Sequence, residues 1–381
     1  MSQMATPKQV TCIIAALGGG GAERAFVNLV RDLHDRNYQV TVLTLYRHIP
    51  DAYTLPPQVR RLYPSPPPDG WQRWFDLLGQ VRRVKRIWRR LWLLRTDILQ
   101  TQPDIVIAFI EITGIRVLRM LIASGVPVIV AEHTDPRYHG ISQGWRIWRW
   151  LMYPFAASIV VLSEELWQWV QHYHPWWRVR VIPNPVPPLA PQSSCKPSFF
   201  GQPRTIIAVG RFDPVKQYHL LIDAFAQLAP QFPDWNLTIL GDGDLRGEIE
   251  QQIESLKLTA RITLPGRVPE PTAILPYADL FVMTSRYEGF PNALLEAMAC
   301  GVTPVSFDCP SGPRAIIRHG VDGILVPPND VQKLAVAMAD LMANDERRHQ
   351  LASRAKEVSD RFAREKIIGQ WEQVIAAALS H

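Results

Sequence analysis

The chain has 381 residues, enough for two or three domains. Its 47% hydrophobic and 20% charged residues are an ordinary globular composition and exclude a disordered or fibrous chain. Lys and Arg exceed Asp and Glu by 41 to 35, and the resulting +6 does not by itself indicate a nucleic-acid partner.

Four scattered cysteines (Cys12, Cys195, Cys300, Cys309) form no CxxC pair, so neither a disulfide framework nor a zinc site is indicated. The most apolar stretch, Asp104 to Val130, is broken by Glu111, Arg116 and Arg119, whereas a membrane span needs about 20 mostly apolar residues. The run Val10–Leu17 ends in four glycines and reads as a first strand, not a signal peptide. A cytoplasmic protein is therefore expected.

In chain order, Val10–Leu17, Val40–Leu45, Asp104–Ile110, Val126–Ala131 and Ser158–Leu162 read as buried strands. Arg204–Val209, Leu237–Leu240, Arg261–Leu264, Leu280–Met283, Thr303–Ser306 and Gly323–Val326 read the same way. Unbroken aliphatic runs fit parallel strands covered on both faces. Helical patterns such as Glu23–Arg36, Tyr218–Leu228 and Asn292–Cys300 lie between them, which predicts an α/β architecture. The proline-rich stretch from Pro183 to Pro203 has linker composition. We therefore expect one Rossmann-like domain over 1–190, a second over 200–362, and a C-terminal helix within 363–381 able to pack on either. Two such domains facing each other across a cleft place sites at the C-terminal ends of strands.

Gly18-Gly19-Gly20-Gly21-Ala22-Glu23-Arg24 follows a strand and opens a helix. Glycines there let backbone N–H groups approach a phosphate; a plain flexible turn is the competing reading. The pattern is neither GxGxxG nor Walker A, so a dinucleotide dehydrogenase and an ATPase are not supported. Gly210-Arg211-Phe212-Asp213-Pro214-Val215-Lys216 puts two cations at the end of the second domain's first strand. They suit a leaving diphosphate, or else pair with local acids such as Asp213. In Glu288-Gly289-Phe290-Pro291-Asn292-Ala293-Leu294-Leu295-Glu296, Asn292 is expected to cap a helix and leave the N–H groups of Asn292, Ala293 and Leu294 facing an anion. Asp242-Gly243-Asp244 matches a DxD metal motif, but its surroundings are turn composition, and no metal site is expected.

Five segments in order carry a resemblance: GGGGAER at 18–24, EHTD at 132–135, GRFDPVK at 210–216, PGRV at 265–268 and EGFPNALLEAMACG at 288–301. With them the chain resembles a GT-B glycosyltransferase of family 4, the group 1 transferases that retain configuration and use nucleotide sugars. DCPSGPRAII at 308–317 is similar to members that build bacterial surface or lipid-linked glycans. The resemblance implies a hexosyltransferase with no cofactor beyond its nucleotide-sugar substrate, expected to be UDP-linked. It implies that Gly19, Gly20 and Gly21 face the donor diphosphate and that His133 binds the donor sugar. Arg211 and Lys216 would stabilise the departing diphosphate, and Gly266, Arg267 and Val268 would hold the base. Glu288 would grip the sugar hydroxyls and Glu296 the ribose, with Phe290, Asn292, Ala293 and Leu294 completing the donor site. The acceptor side would fall to the first domain, for a glycan or polyprenyl-diphosphate acceptor. A non-catalytic scaffold of the same fold and a nucleotide-sugar epimerase are the alternatives.

Trp71 to Arg95 holds eight Lys or Arg against one Asp, and Leu77, Val81, Val84, Trp88 and Leu91 share one helical face. Trp145, Trp148 and Trp150 with Arg146 and Arg149 form a second basic, aromatic patch. Such segments suit an anionic membrane surface, and a solvated Rossmann helix is the rival. No recognised motif supports a nucleic-acid surface. The expected location is peripheral, on the cytoplasmic face of the plasma membrane.

Overall fold

In a computed structural model, the described residues are 8–65, 92–138, 140–174, 176–192, 196–200 and 203–380. The expected basic helix around residues 71–91 lies outside them. The chain divides into two compact units, 1–183 with 365–381, and 184–364.

The first unit is a seven-stranded parallel sheet: β1 (Gln9–Ile14), β2 (Gln39–Thr44), β3 (Arg60–Leu62), β4 (Ile105–Phe109), β5 (Val128–Ala131), β6 (Ser158–Val161) and β7 (Val179–Val181), in the order 3-2-1-4-5-6-7. Every side chain of β4, Ile-Val-Ile-Ala-Phe, is buried, as strands covered on both faces require. Helices α1 (Gly21–Asp35), α2 (Glu111–Leu121), α3 (Gln143–Met152) and α4 (Glu164–Tyr173) connect the strands. Strand order reverses between β1 and β4, the kind of switch point at whose carboxyl ends ligands bind in open α/β sheets.

The second unit repeats the plan with β8 (Arg204–Val209), β9 (Trp235–Leu240), β10 (Ile262–Gly266), β11 (Leu280–Met283), β12 (Thr303–Phe307) and β13 (Ile324–Val326), ordered 10-9-8-11-12-13. Its helices include α5 (Tyr218–Leu228), α6 (Arg246–Ser255) and α7 (Asn292–Ala299). Its switch point lies between the paired strands β8 and β11.

Every strand expected from an apolar run is present. Two more, β3 and β7, are three-residue edge strands with exposed or half-buried arginines, too short and too polar to stand out in sequence. The linker boundary also differs from expectation. The second unit begins at Asn184, not near 200, because Val186 N–H donates to Phe362 C=O and Asn184 Nδ2 donates to Asn292 Oδ1 at 2.9 Å. Backbone and side chain thus bind the start of the linker to this unit.

The C-terminal helix (Arg364–Leu379) ends the question of its partner. Ile367, Ile368, Trp371, Val374, Ile375 and Ala378 recur at helical spacing and enter the first unit's core beside Val10, Ile14, Phe26 and Phe109. Arg36 pairs with Glu365, and with Glu372 at 3.7 Å, at the rim. Trp371 stacks on Phe109 with ring centroids 6.4 Å apart. Trp371→Ala is expected to cost about 3–5 kcal/mol in urea unfolding. The lost hydrogen-exchange protection should concentrate in β1 and β4, and an undiminished first unit would contradict this packing.

Candidate functional site

In the second unit, the loop after β8 and the loop after β11 meet at the switch point. Lys216 Nζ donates to Glu288 Oε1 at 2.6 Å, and Ser285 Oγ donates to the same oxygen at 2.6 Å. The two loops are tied further by Thr284 Oγ1 to Lys216 C=O (2.9 Å) and Arg286 N–H to Val215 C=O (2.8 Å). Burial lowers the Lys216 pKa, but the charge and hydrogen bond of Glu288 outweigh it, and the net shift is upward. Lys216 is thus a fixed cation. Burial and then the Glu288 charge push the nearby Cys309 thiol up, which leaves it a protonated spectator.

Arg211 behaves differently. Its Nε donates to Asp213 Oδ2 at 3.0 Å and its side chain is 69% exposed. That is the local-acid pairing weighed above, and an exposed pair of this kind contributes little stability. Asp213 Oδ1 also accepts from the N–H groups of Val215 and Lys216, so this acid shapes the turn that aims Lys216.

Helix α7 starts one residue earlier than the expected Asn292 cap implies. Pro291 occupies the cap position, and Asn292 is the first helical residue with no side-chain capping bond. Its amide oxygen instead accepts from Asn184, so the expected Asn292 cap is corrected: the side chain is committed to the linker. The helix's own bonding begins with Leu295 N–H to Pro291 C=O, so the N–H groups of Asn292, Ala293 and Leu294 precede it. Glu288 stands just ahead of this turn and Glu296 lies buried on the next one. Phe290 is buried edge-on against Phe362, with centroids 5.5 Å apart.

Two glycines explain how these loops come so close. Gly241 has φ +145, and a Cβ there would sit 1.9 Å from Gly210 C=O. Gly312 has φ +153, and its Cβ would sit 2.6 Å from Pro291 Cδ. Both conformations favour glycine, and both positions lack room for a side chain. The first accounts for Gly241-Asp242-Gly243-Asp244 as a packing loop: Phe212 N–H donates to Asp242 C=O, and Asp242 Oδ1 accepts from Gly243 N–H at 2.9 Å. Among the described residues no group of three or more His, Cys, Asp or Glu could hold a metal ion. Gly266 closes β10 at φ +87, followed by exposed Arg267 and half-buried Val268.

In the first unit, Gly19 has φ +101 and Gly20 precedes α1, with the Glu23 carboxylate folded against Gly20. His133 follows β5 and is buried. Its ring lies 4.6 Å from Phe109 at 17°, and Trp371 stacks on the same phenylalanine at 14°. Its Nε2 has no hydrogen-bond partner among the described residues. Glu132, beside it, bonds Tyr153 Oη, and Thr134 Oγ1 donates to Glu111 Oε2 at 3.0 Å. Asp135 anchors Arg137 at 2.6 Å. Ile110 lies at φ +71, a rare conformation for a β-branched residue, and it carries the chain from β4 into Glu111.

Sequence reasoning missed Ser285, Glu111 and Tyr218. Tyr218 opens α5, and its buried hydroxyl lies against Gly210 with no hydrogen-bond partner among the described residues. Ser285, three residues before Glu288, was the one legible signal.

Burial pushes the His133 pKa down to about 3. The unfolded state, near 6.5, then takes the proton first as pH falls. His133 therefore adds stability that is complete above about pH 6.5 and is lost as pH drops toward 3. Its ring resonances are expected to stay fixed in NMR spectra between about pH 5 and 8, and a midpoint near 6.5 would contradict the burial.

The family Glycosyl transferases group 1 matches residues 192–358, and Glycosyltransferase Family 4 matches residues 19–188. A relative from Campylobacter jejuni is 27% identical over 373 residues, covering 97% of this chain and 98% of that one. It is named as an alpha-1,4-N-acetyl-D-galactosaminyltransferase for GalNAc-alpha-(1->4)-GalNAc-alpha-(1->3)-diNAcBac-PP-undecaprenol. An exopolysaccharide phosphotransferase of Streptomyces coelicolor is 34% identical over 315 residues, which are 81% of this chain but 31% of that longer protein. Among solved structures, the pneumococcal O-GlcNAc transferase GtfA, in complex with UDP and GlcNAc, aligns with a TM-score of 0.79 at 12% identity. That alignment covers 99% of this chain and 100% of that one. HepE of Anabaena, with UDP and glucose, aligns with a TM-score of 0.76 at 22% identity over 97% of this chain and 100% of that one. At these identities the structures speak to fold, and the fold is GT-B. The two family matches divide the chain between them much as its two sheets do, and the chain belongs to the GT-B glycosyltransferases of family 4, group 1.

Proposed function

We propose that this glycosyltransferase moves a sugar from a nucleotide diphosphate donor, with uridine as the base, to a polyprenyl-diphosphate-linked glycan, with retention of configuration. The observation that carries the reading is the Lys216–Glu288 pair at the switch point, next to the first turn of α7. A fixed ammonium beside a helix N-terminus is suited to a diphosphate leaving group. Glu296, one turn on, is assigned to the ribose, and residues 266–268 to the base.

Glu288 Oε1 already accepts from Lys216 and Ser285, which makes it a poor nucleophile and a good anchor for sugar hydroxyls. No carboxylate is therefore assigned a covalent role of the kind retaining hydrolases use. The acceptor hydroxyl attacks the anomeric carbon on the face the diphosphate leaves. Its proton passes to the departing phosphate oxygen, and the donor C–O bond breaks as the new one forms. Positioning and charge stabilisation supply the catalysis. His133, neutral at working pH, is assigned a hydrogen bond to the donor sugar, and Gly19 to Gly21 are assigned to the diphosphate. Arg211, now held by Asp213, would turn to the diphosphate when donor binds.

The acceptor class is supported by the end-to-end relative, whose name specifies an undecaprenyl-diphosphate glycan. We place the enzyme peripherally on the cytoplasmic face of the plasma membrane, with Trp71 to Arg95 as one contact. No helix among the described residues is long and apolar enough to cross a membrane.

Calorimetry with UDP, GDP and ADP tests the donor site. One nucleotide, expected to be UDP, should bind selectively, and Glu296→Ala should weaken it about tenfold or more. Indifference to all three nucleotides, or to the substitution, would contradict the assignment.

A further inference from the structure

Helix α3 and the turn that continues it, residues 143–155, hold an apolar stripe that stays exposed among the described residues of the first unit. Ile147, Trp150 and Phe155 are 60%, 54% and 57% exposed, and Leu151 is exposed beside them. Their spacing, three to five residues apart, puts them on one side of a continuous helical stretch. No residue of α3 is fully buried; it leans on α2 through half-buried Trp145 and Met152. The rings beneath the turn are packed: His174 stacks on Trp177 at 3.8 Å, and Trp177 lies 5.0 Å from the Tyr153 ring. Monomeric proteins rarely leave so many large apolar side chains contiguous and uncovered.

The charges on this helix and turn have one sign. Arg146 and Arg149 lie on α3, and residues 143–157 contain no carboxylate. From α2, Arg119 lies over the Trp148 ring at 3.7 Å and Arg116 over Trp145 at 5.3 Å. An isologous contact with a second copy would set this arginine cluster against itself. An interface with anionic headgroups above and acyl chains below satisfies both features at once: the rings insert and the guanidinium groups pair with phosphates.

We infer that the Ile147–Trp150–Phe155 face of α3, flanked by Arg146, is a docking surface for an anionic lipid bilayer. It deepens the membrane-side acceptor reading given above and rests on it. The attachment would orient the first unit by a folded helix.

Co-sedimentation with phosphatidylglycerol-containing vesicles, compared with pure phosphatidylcholine vesicles, tests it. The probes are the native chain, an Ile147→Ser/Trp150→Ser/Phe155→Ser triple variant and Arg146→Glu. The native chain is expected to prefer the anionic vesicles. The triple variant should lose about tenfold or more of that partitioning, and Arg146→Glu should weaken only the anionic preference. Thermal unfolding and nucleotide binding of both variants should match the native chain, since the altered side chains are exposed. A triple variant that binds vesicles as tightly as the native chain overturns this surface while leaving the membrane reading intact. A native chain that ignores both vesicle types sinks the surface and the membrane reading together, with nucleotide binding untouched. A native dimer that the triple variant breaks, with vesicle binding unchanged, would assign the face to a second copy and overturn the proposal.

Discussion

The hydrogen-bonded ion pair between Lys216 and Glu288 is the constraint from which the second unit's site is built. Each residue sits on a loop leaving one of the two adjacent strands at the switch point, β8 and β11. Neither loop could present its charge alone. The Lys216 ammonium is partly withdrawn from water, the carboxylate offsets that burial and shifts its pKa upward, and the carboxylate is oriented by both Lys216 and Ser285. Everything nearby serves that geometry. Asp213 shapes the turn before Lys216, Thr284 and Arg286 fasten the loops, and Gly312 lets residues 308–312 lie against Pro291. The second unit's sheet thus converts strand order into a placed cation at the head of a helix.

The first unit uses packing in place of charge. Phe109, the last residue of β4, carries His133 and Trp371 stacked on it and Phe26 edge-on at 5.0 Å. The C-terminal helix therefore reaches His133 indirectly: Trp371 braces the ring on which His133 rests. A histidine held in this aromatic setting remains neutral, which suits a hydrogen bond to a sugar hydroxyl more than proton transfer. The buried acids Glu111 and Glu132, with Thr134 and Tyr153 as partners, hold the loops around it.

The sheets were legible because their strands are unbroken aliphatic runs such as Ile105–Phe109, which no helix or loop of this length would need. The short edge strands were not, since Arg60-Arg61-Leu62 carries no burial pattern to read. Spacing located Glu288, Glu296 and Lys216, yet it could not show that Lys216 would pair with Glu288 while Arg211 turned to Asp213. That choice depends on the β8–β11 neighbourhood, a long-range fact. Asn292 illustrates the same limit: its residue type suits a cap, but tertiary pairing with Asn184 outweighs the local preference. The C-terminal helix showed its apolar face in sequence, though not which unit that face would enter.

The central claim is that Lys216 and Glu288 act as one unit on the donor. A double-mutant cycle on UDP binding, using Lys216→Met, Glu288→Gln and the pair, measures this directly. If they form one unit, the effects should be strongly non-additive, with a coupling of about 1 kcal/mol or more, and the double variant should bind little worse than the weaker single one. Additive losses, or single variants that bind like the native chain, would contradict it.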